Sequence, residues 1–158
     1  MRHPLYALLL LPLAGVFVLV FWPRGSGDAS YSPALPGASG PAAAYDKSTL
    51  YDYMDGGAEV FLQNGFVSLK VWTGKTENAE WTVELYLFGS PDQAGRIFDR
   101  FKSGAETRSG HTVFTLDKGS GAAQAGVFYF KVFTYPDDDG PAAQAVQQFL
   151  RWCDEQDI

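Results

Sequence analysis

Two segments of the chain alternate apolar and polar residues with a period of two, a pattern typical of half-buried strands. They are residues 66–73 (FVSLKVWT) and 80–88 (EWTVELYLF), and the turn-forming stretch between them includes GKTEN. This arrangement predicts a β-hairpin. Further strands are predicted at 111–117 and 127–135, with KGSGAAQA as a loose connection between them.

Apolar residues that recur every three to four positions predict a helix after each pair of strands. For the first helix, Ser90 is the expected N-cap, Pro91 suits the first helical position and Gly104 is the expected end. The second helix is predicted to begin at Pro141. Its expected core positions are Ala142, Ala145, Val146, Phe149 and Cys153.

A shorter helical stripe precedes the strands and is interrupted by two glycines. Its apolar positions are Leu50, Met54, Ala58 and Phe61. The domain therefore has a ββα plan used twice after a short leading helix. The predicted fold class is α+β, an antiparallel sheet of about four strands with helices on one face, preceded by an N-terminal transmembrane helix.

The start of the chain is strongly apolar. Residues 5–22 contain no charge, and a helix of that length is about 27 Å long, close to the roughly 30 Å core of a bilayer. Residues 1–22 are therefore predicted to be a transmembrane signal anchor. A cleaved signal peptide is the alternative, although its apolar run is usually about 7–15 residues long. The weak charge bias around the span favours a domain on the outer side.

Composition divides the rest of the chain into a linker and a domain. Residues 23–44 are rich in Pro, Gly, Ser and Ala, which predicts a flexible linker, and the folded domain is predicted at 45–158. Apart from Arg2 and Arg24, ten basic residues face eighteen acidic residues, a formal charge of −8. This sign disfavours binding to nucleic acid.

Recognisable catalytic chemistry is missing from the sequence. His3 and His111 are isolated, and Cys153, the only cysteine, falls on the apolar side of the last predicted helix. The chain has no haem-attachment, phosphate-loop or dinucleotide motif. We therefore predict no catalytic residue, metal site or cofactor, and an enzyme is disfavoured.

Three stretches carry a resemblance to a known family: LYDYMDGGAEVFLQNGF, VELYLFGSPDQAGRIF and GVFYFKVFTY. Over roughly residues 45–135 the chain resembles the bacterial domain-of-unknown-function family 6599. Met54 and Arg96 are mild departures from the family pattern. The resemblance implies an exported or membrane-attached bacterial protein and no known reaction. Together with the charge bias around the span, it predicts a single-pass protein of the cytoplasmic membrane with the domain on the periplasmic side.

One face of the predicted sheet carries aromatic and charged side chains that the core does not need. Amphipathic aromatics of this kind are enriched in interfaces, so this face is a candidate binding surface unless another segment covers it. Lys70 and Glu84 are expected to pair across the hairpin. The predicted binding residues are Trp72, Tyr86, Tyr129, Phe133, Lys70 and Glu84.

The glycine pair and its neighbours form an alternative ligand corner. This corner consists of Asp52, Asp55, Gly56, Gly57 and Glu59. Glycines let a ligand approach the backbone, and the carboxylates could hold a cation, although their spacing is not that of a calcium loop. The favoured interpretation is structural, with Asp55 capping a helix that begins at Gly57 and Gly56 in a conformation costly for other residues.

Together these features predict a membrane-anchored, extracytoplasmic binding or accessory module. Anchoring through residues 5–22 raises its effective concentration for neighbours, so the expected partner is another membrane or envelope protein. A small-ligand or cation-binding protein, or an enzyme, centred on the glycine corner is the alternative. An enclosed pocket lined by the corner carboxylates would favour this alternative.

Overall fold

The structure is a computed structural model that describes residues 32–35, 37–40 and 42–158. The predicted anchor at 5–22 lies outside the described residues. Within the part of the chain that is described, no helix is both long and apolar enough to cross a bilayer.

The domain is built on one antiparallel sheet of seven strands in the order β1-β2-β3-β7-β6-β5-β4. The strands are β1 (Ala43–Asp46), β2 (Phe66–Lys75), β3 (Glu80–Phe88), β4 (Thr107–Ser109), β5 (Thr112–Asp117), β6 (Ser120–Ala125) and β7 (Phe128–Tyr135). The helices are α1 (Leu50–Tyr53), α2 (Ala58–Gln63), α3 (Pro91–Phe101) and α4 (Asp139–Gln156).

Helices pack on both faces of this sheet, so the predicted fold, with about four strands and helices on one face, is wrong. The side packed against α4 is called the α4 face, and its core includes Phe130 and Phe149, both fully buried. The other side, the α3 face, is covered by α1, α2 and α3, and its core includes Phe88 and Ile97. Large apolar residues occupy both sides of the central strands, and each side therefore needs a cover.

The segment expected to be a loose connection is strand β6. Its residues are small because elements pack closely against it. A Cβ atom on Gly121 would lie 2.8 Å from Cγ2 of Val146 in α4 and 2.9 Å from Cδ2 of Leu116. Ala123 and Ala125 also belong to the α4-face core, so a small-residue stretch that resembles a loop is a close-packed strand.

The predicted β2–β3 hairpin is confirmed, but its register differs from the expected one by one residue. Thr76 N–H donates to the Ala79 carbonyl at 2.8 Å, which closes a two-residue turn, and Lys75 pairs with Glu80. Lys70 consequently lies opposite Leu85, so its predicted pairing with Glu84 is wrong. A shift of one residue exchanges the faces of a whole strand, and this places Trp72 on the α4 face.

The N-terminal signal and the apolar spacing of the long helices are confirmed, but two predicted ends are wrong. Helix α3 ends at Phe101 with an extended Lys102 after it, before Gly104, and α4 begins at Asp139, two residues before Pro141. Ser90 accepts a hydrogen bond from the Gln93 N–H, and Pro91 is the first residue of α3, as predicted. Asp138 caps α4 by accepting from the Gly140 N–H at 2.9 Å. The predicted core positions of α4 are buried, and Cys153 among them is fully buried.

Part of the predicted linker lies against the sheet. Ser39 N–H donates to the Thr73 carbonyl at 2.8 Å, and Ala38 forms an isolated bridge with Gly74. Leu35 and Ala38 pack on the edge of the α4-face core. The ordered contacts of the domain therefore begin before Tyr45.

Candidate functional site

An open pocket of about 540 Å³ lies on the α3 face. Its floor comes from β3 and β7, and its walls come from the α1–α2 corner and the last turn of α3. The lining residues are Tyr53, Met54, Gly57, Val60, Phe61, Glu84, Tyr86, Arg100, Phe101, Tyr129 and Lys131. We call it the tyrosine pocket, and its volume falls within the range of roughly 300–1,000 Å³ found for small-molecule sites.

A buried carboxylate anchors the floor of the tyrosine pocket. Glu84 is only 5% exposed, and its Oε1 accepts a 2.6 Å hydrogen bond from the Tyr53 hydroxyl. Its Oε2 accepts a 2.9 Å bond from the Tyr86 hydroxyl and lies 3.8 Å from Lys131 Nζ. Two phenol donors and one ammonium group therefore compensate the buried charge.

Strand alternation explains why these groups meet. Glu84 lies directly opposite Lys131, and Tyr86 lies directly opposite Tyr129 in the β3–β7 ladder. Residues two apart on a strand point to the same face, so all four side chains share the α3 face. Tyr53 reaches the carboxylate from α1, across the pocket wall.

Tyr129 is the incomplete member of the cluster. Its side chain is 1% exposed, and its hydroxyl has no hydrogen-bond partner among the described residues. Burial, followed by the charge of Glu84, raises the pKa of Tyr129, so the phenol is a neutral donor at physiological pH. An unsatisfied buried hydroxyl costs about 1–3 kcal/mol, a cost that a bound polar group would remove.

Burial also raises the pKa values of the two tyrosines that donate to Glu84. For Tyr86 and Tyr53 burial is the largest cause, and the neighbouring Glu84 carboxylate adds to it. Both phenols therefore remain protonated donors. The cluster can orient a bound group and exchange hydrogen bonds with it.

Aromatic rings form the apolar side of the pocket. Phe61 stacks on Tyr86 with ring centres 4.6 Å apart, and on Phe101 at 5.5 Å with nearly parallel planes. Phe101 is 42% exposed at the pocket rim. Flat apolar walls beside a polar floor suit a ligand with an apolar body and a polar head.

The structure brings three of the six predicted binding residues together in this pocket: Glu84, Tyr86 and Tyr129. Phe133 follows them along β7 on the same face and is partly exposed, with Lys131 Nζ 5.2 Å from its ring centre. Trp72 and Lys70 lie on the opposite side. Trp72 is buried in the α4-face core, and Lys70 is buried with its Nζ 3.1 Å from Ser32 Oγ.

The proposed open aromatic face is therefore a partly covered pocket. The short helices α1 and α2 supply Tyr53 and Phe61 to its wall. The structure places the predicted β3 and β7 residues on one face of the sheet. The β2 residues lie on the other face because of the one-residue register shift.

The alternative corner contributes only Gly57 to the pocket lining. Its three carboxylates are exposed, and Glu59 accepts a 2.6 Å hydrogen bond from the Tyr51 hydroxyl across the corner. That bond, followed by one from Gln63, lowers the pKa of Glu59. Within the described ranges no three His, Cys, Asp or Glu side chains are grouped as metal ligands would be.

The expected role of Asp55 as a side-chain cap is wrong. The N-cap of α2 is Gly57, with φ −72° and ψ −23°, and no side chain bonds to this helix end. Asp55 supplies only its backbone carbonyl, to Ala58 N–H at 3.2 Å. The left-handed backbone expected at Gly56 is also absent, whereas Gly65 does end α2 with φ +80°.

Neither glycine of the corner is required by packing. A Cβ atom on Gly56 or Gly57 would meet no atom within 4 Å. At Gly57 that open space adjoins the pocket. The corner is therefore a place where a side chain could be added without backbone strain, and this provides a direct experimental test.

Sequence reasoning did not select Tyr53, Phe61, Arg100 and Lys131 as site residues. Lys131 was detectable, because it shares the two-residue alternation of Tyr129 and Phe133. Tyr53 and Arg100 come from separate helices whose position over the sheet depends on tertiary packing. No local periodicity signals such a convergence.

Comparison with protein-family models, curated proteins and solved structures gives no match to this chain. The resemblance to the bacterial family described above therefore stays a prediction.

Proposed function

We propose that this domain is a binding module whose tyrosine pocket holds a small amphipathic ligand. The buried Tyr129 hydroxyl, without a partner among the described residues, is the observation that carries this proposal. Tyr129 lines a pocket of suitable volume, beside a compensated carboxylate and flat apolar walls. Binding, rather than catalysis, fits a cluster whose phenols all stay protonated.

The tethered location predicted from the sequence is part of the same proposal. The apolar segment 5–22 supports a module held at a bacterial membrane with the domain outside. In that position the pocket would be exposed to ligands at the outer surface of the cytoplasmic membrane. The expected membrane or envelope partner would then respond to the ligand-bound domain.

Occlusion of the pocket tests the binding role. The full-length chain, held in lipid nanodiscs because of the predicted span, is titrated with phenylpropanoate, phenylpropanamide and phenylpropylammonium by ligand-detected NMR. Gly57→Trp places a large side chain at the pocket wall, and Gly56→Trp is the matched control outside the lining. Empty nanodiscs measure partition into lipid.

We expect saturable binding of at least one fragment, weakened by about tenfold or more in Gly57→Trp and retained in Gly56→Trp. Equal binding to both variants would place the fragment elsewhere. Absence of saturable binding for all three fragments at millimolar concentration would overturn the proposed function.

A protein-contact role is favoured by a different observation, at the end of β7. Tyr135 is 81% exposed and continues the line of Tyr129 and Phe133 along the α3 face. Exposed tyrosines are common anchors in interfaces.

Photo-cross-linking in intact membranes tests this role. A photoreactive residue in place of Tyr135 is expected to give a discrete adduct with a membrane protein, whereas one in place of Tyr51, an exposed tyrosine elsewhere, should not. Identical adducts from both positions would contradict this role.

A further inference from the structure

The charges around the tyrosine pocket narrow the class of ligand. Two cationic side chains line this pocket, Arg100 at the wall and Lys131 on the floor. With Glu84 they give the lining a formal charge of +1, whereas the whole chain carries −6. The pocket is therefore a locally cationic site on an acidic protein.

Arg100 has no carboxylate within ion-pair distance in the described part of the chain. It belongs to the last turn of α3, and its guanidinium carbon lies 5.8 Å from the Phe101 ring centre. A cation in that turn complements the helix dipole. Its guanidinium N–H groups nevertheless remain available at the pocket wall, where a planar carboxylate could accept hydrogen bonds from two of them.

Lys131 is only loosely held by Glu84. The 3.8 Å separation from Oε2 is longer than a hydrogen bond, and the Lys131 side chain is 42% exposed. Each oxygen of Glu84 already accepts a hydrogen bond from a tyrosine. Lys131 can therefore contact a second anion without leaving the buried carboxylate uncompensated.

The apolar lining restricts the rest of the ligand. Met54, Val60, Phe61 and Phe101 provide a hydrophobic wall beside these cations. A fully hydrated ion would leave this wall unused, and a cationic ligand would meet two positive side chains. The Glu84 carboxylate would attract such a cation only weakly, because it already accepts hydrogen bonds from two phenols and lies near the Lys131 ammonium.

We infer that the ligand is a small amphipathic carboxylate. Its head group contacts Arg100 and Lys131 and accepts a hydrogen bond from the Tyr129 hydroxyl, while its apolar body lies along Phe61 and Phe101. One negative charge neutralises the lining, and the carboxylate gives Tyr129 the acceptor it lacks. This inference rests on the proposed function and specifies the ligand class for that pocket.

The three fragments of the binding test have nearly the same body and differ in head-group charge, so their order of affinity tests the inference. With the full-length chain we expect phenylpropanoate to bind about tenfold more tightly than phenylpropanamide, and phenylpropylammonium to bind most weakly. Binding of the amide or the ammonium compound as tightly as the carboxylate would overturn the ligand class while leaving the pocket role intact.

Arg100→Gln tests the head-group contact itself. It should weaken phenylpropanoate about tenfold, to the affinity of the amide, and leave phenylpropanamide unchanged. Arg96→Gln, one turn earlier in α3 and outside the pocket lining, is the matched control and should change neither affinity. Unfolding curves for both variants verify folding. An unchanged carboxylate affinity in folded Arg100→Gln would contradict the proposed contact.

Discussion

The two faces of the sheet use the same strands for different purposes. On the α4 face, Val83 and Phe130 are fully buried and pack with Phe149 in an apolar core. On the α3 face, the alternate positions of the same strands hold Glu84 and Tyr129, which are also buried but polar. One side of β3 and β7 therefore contributes an apolar core, and the other holds a hydrogen-bonded carboxylate beside a hydroxyl without a partner among the described residues.

The elements that cover the two faces also differ. The 18-residue helix α4 covers its face, whereas the pocket wall is made by α1 and α2, with four and six residues, and by the last turn of α3. Helices this short are not stable by themselves and depend on packing. We therefore expect the packing of α4 to contribute more to stability than the packing of the pocket wall.

Paired phenylalanine truncations should separate the faces most strongly. Phe149 is fully buried and stacks on Phe130 at 4.7 Å, so Phe149→Ala should lower the free energy of unfolding by about 3–5 kcal/mol. Phe101→Ala, at the half-open pocket rim, should cost less than about 1.5 kcal/mol. Denaturant unfolding monitored by fluorescence measures both. Equal losses would erase the proposed division between the faces.

Neutralisation of the buried carboxylate should have the next largest effect. Glu84→Gln removes the charged acceptor of Tyr53 and Tyr86, and we expect a loss of about 2 kcal/mol. Glu80→Gln in the same strand is the control. Its exposed ion pair with Lys75 should contribute less than about 1 kcal/mol. If Glu84→Gln lowers the free energy of unfolding no more than Glu80→Gln does, the hydrogen bonds to the Glu84 carboxylate do not stabilise the fold.

Alkaline pH should weaken the folded state through both faces. Burial raises the pKa of Cys153 from 9.0 to about 12, and it raises the pKa values of Tyr86 and Tyr129 above 10.0. Between the ordinary and the raised values the unfolded chain has lost protons that the folded chain keeps. Stability is therefore fully present below about pH 9 and falls as the pH rises above it.

Denaturant unfolding at a series of pH values measures this loss. Each such group contributes at most about 1.4 kcal/mol per pH unit. Tyr86→Phe removes one titrating phenol and should make the decline above pH 10 less steep. A free energy of unfolding that stays constant up to pH 11 would contradict the burial of these groups.

The smallest expected effect is the reactivity of the Cys153 thiol in the folded chain. Cys153 is fully buried on the α4 face with a raised pKa, so a thiol reagent should modify it only when the domain unfolds. Labelling followed by mass spectrometry should be slow in buffer and complete in denaturant. Rapid labelling of the folded chain would indicate that α4 opens readily.

Features that depend on local sequence signals were predictable, and features that depend on register or tertiary packing were not. The spacing of apolar residues in α4, the Ser90 cap and the alternation of β3 and β7 are local signals, and the structure confirms them. The register of β2 depends on a two-residue turn, and an error of one residue moved Lys70 and Trp72 to the wrong face.

Two further differences arise from tertiary packing. The small residues of β6 resemble a loop in sequence, whereas in the fold they allow neighbouring elements to pack closely, as the 2.8 Å distance from a Cβ on Gly121 to Val146 shows. Tyr53 and Arg100 reach the pocket from helices whose placement no local pattern encodes. The candidate site was therefore predictable on its strands and not on its walls.

Tyr129→Phe tests whether the Tyr129 hydroxyl serves a ligand at some cost to stability. Removal of a buried hydroxyl without a partner among the described residues should leave the free energy of unfolding unchanged or raise it by up to about 1 kcal/mol. The same variant should bind phenylpropanoate about fivefold more weakly or worse. A loss of stability above about 1 kcal/mol, with fragment affinity unchanged, would show that the hydroxyl serves the fold and would contradict the account.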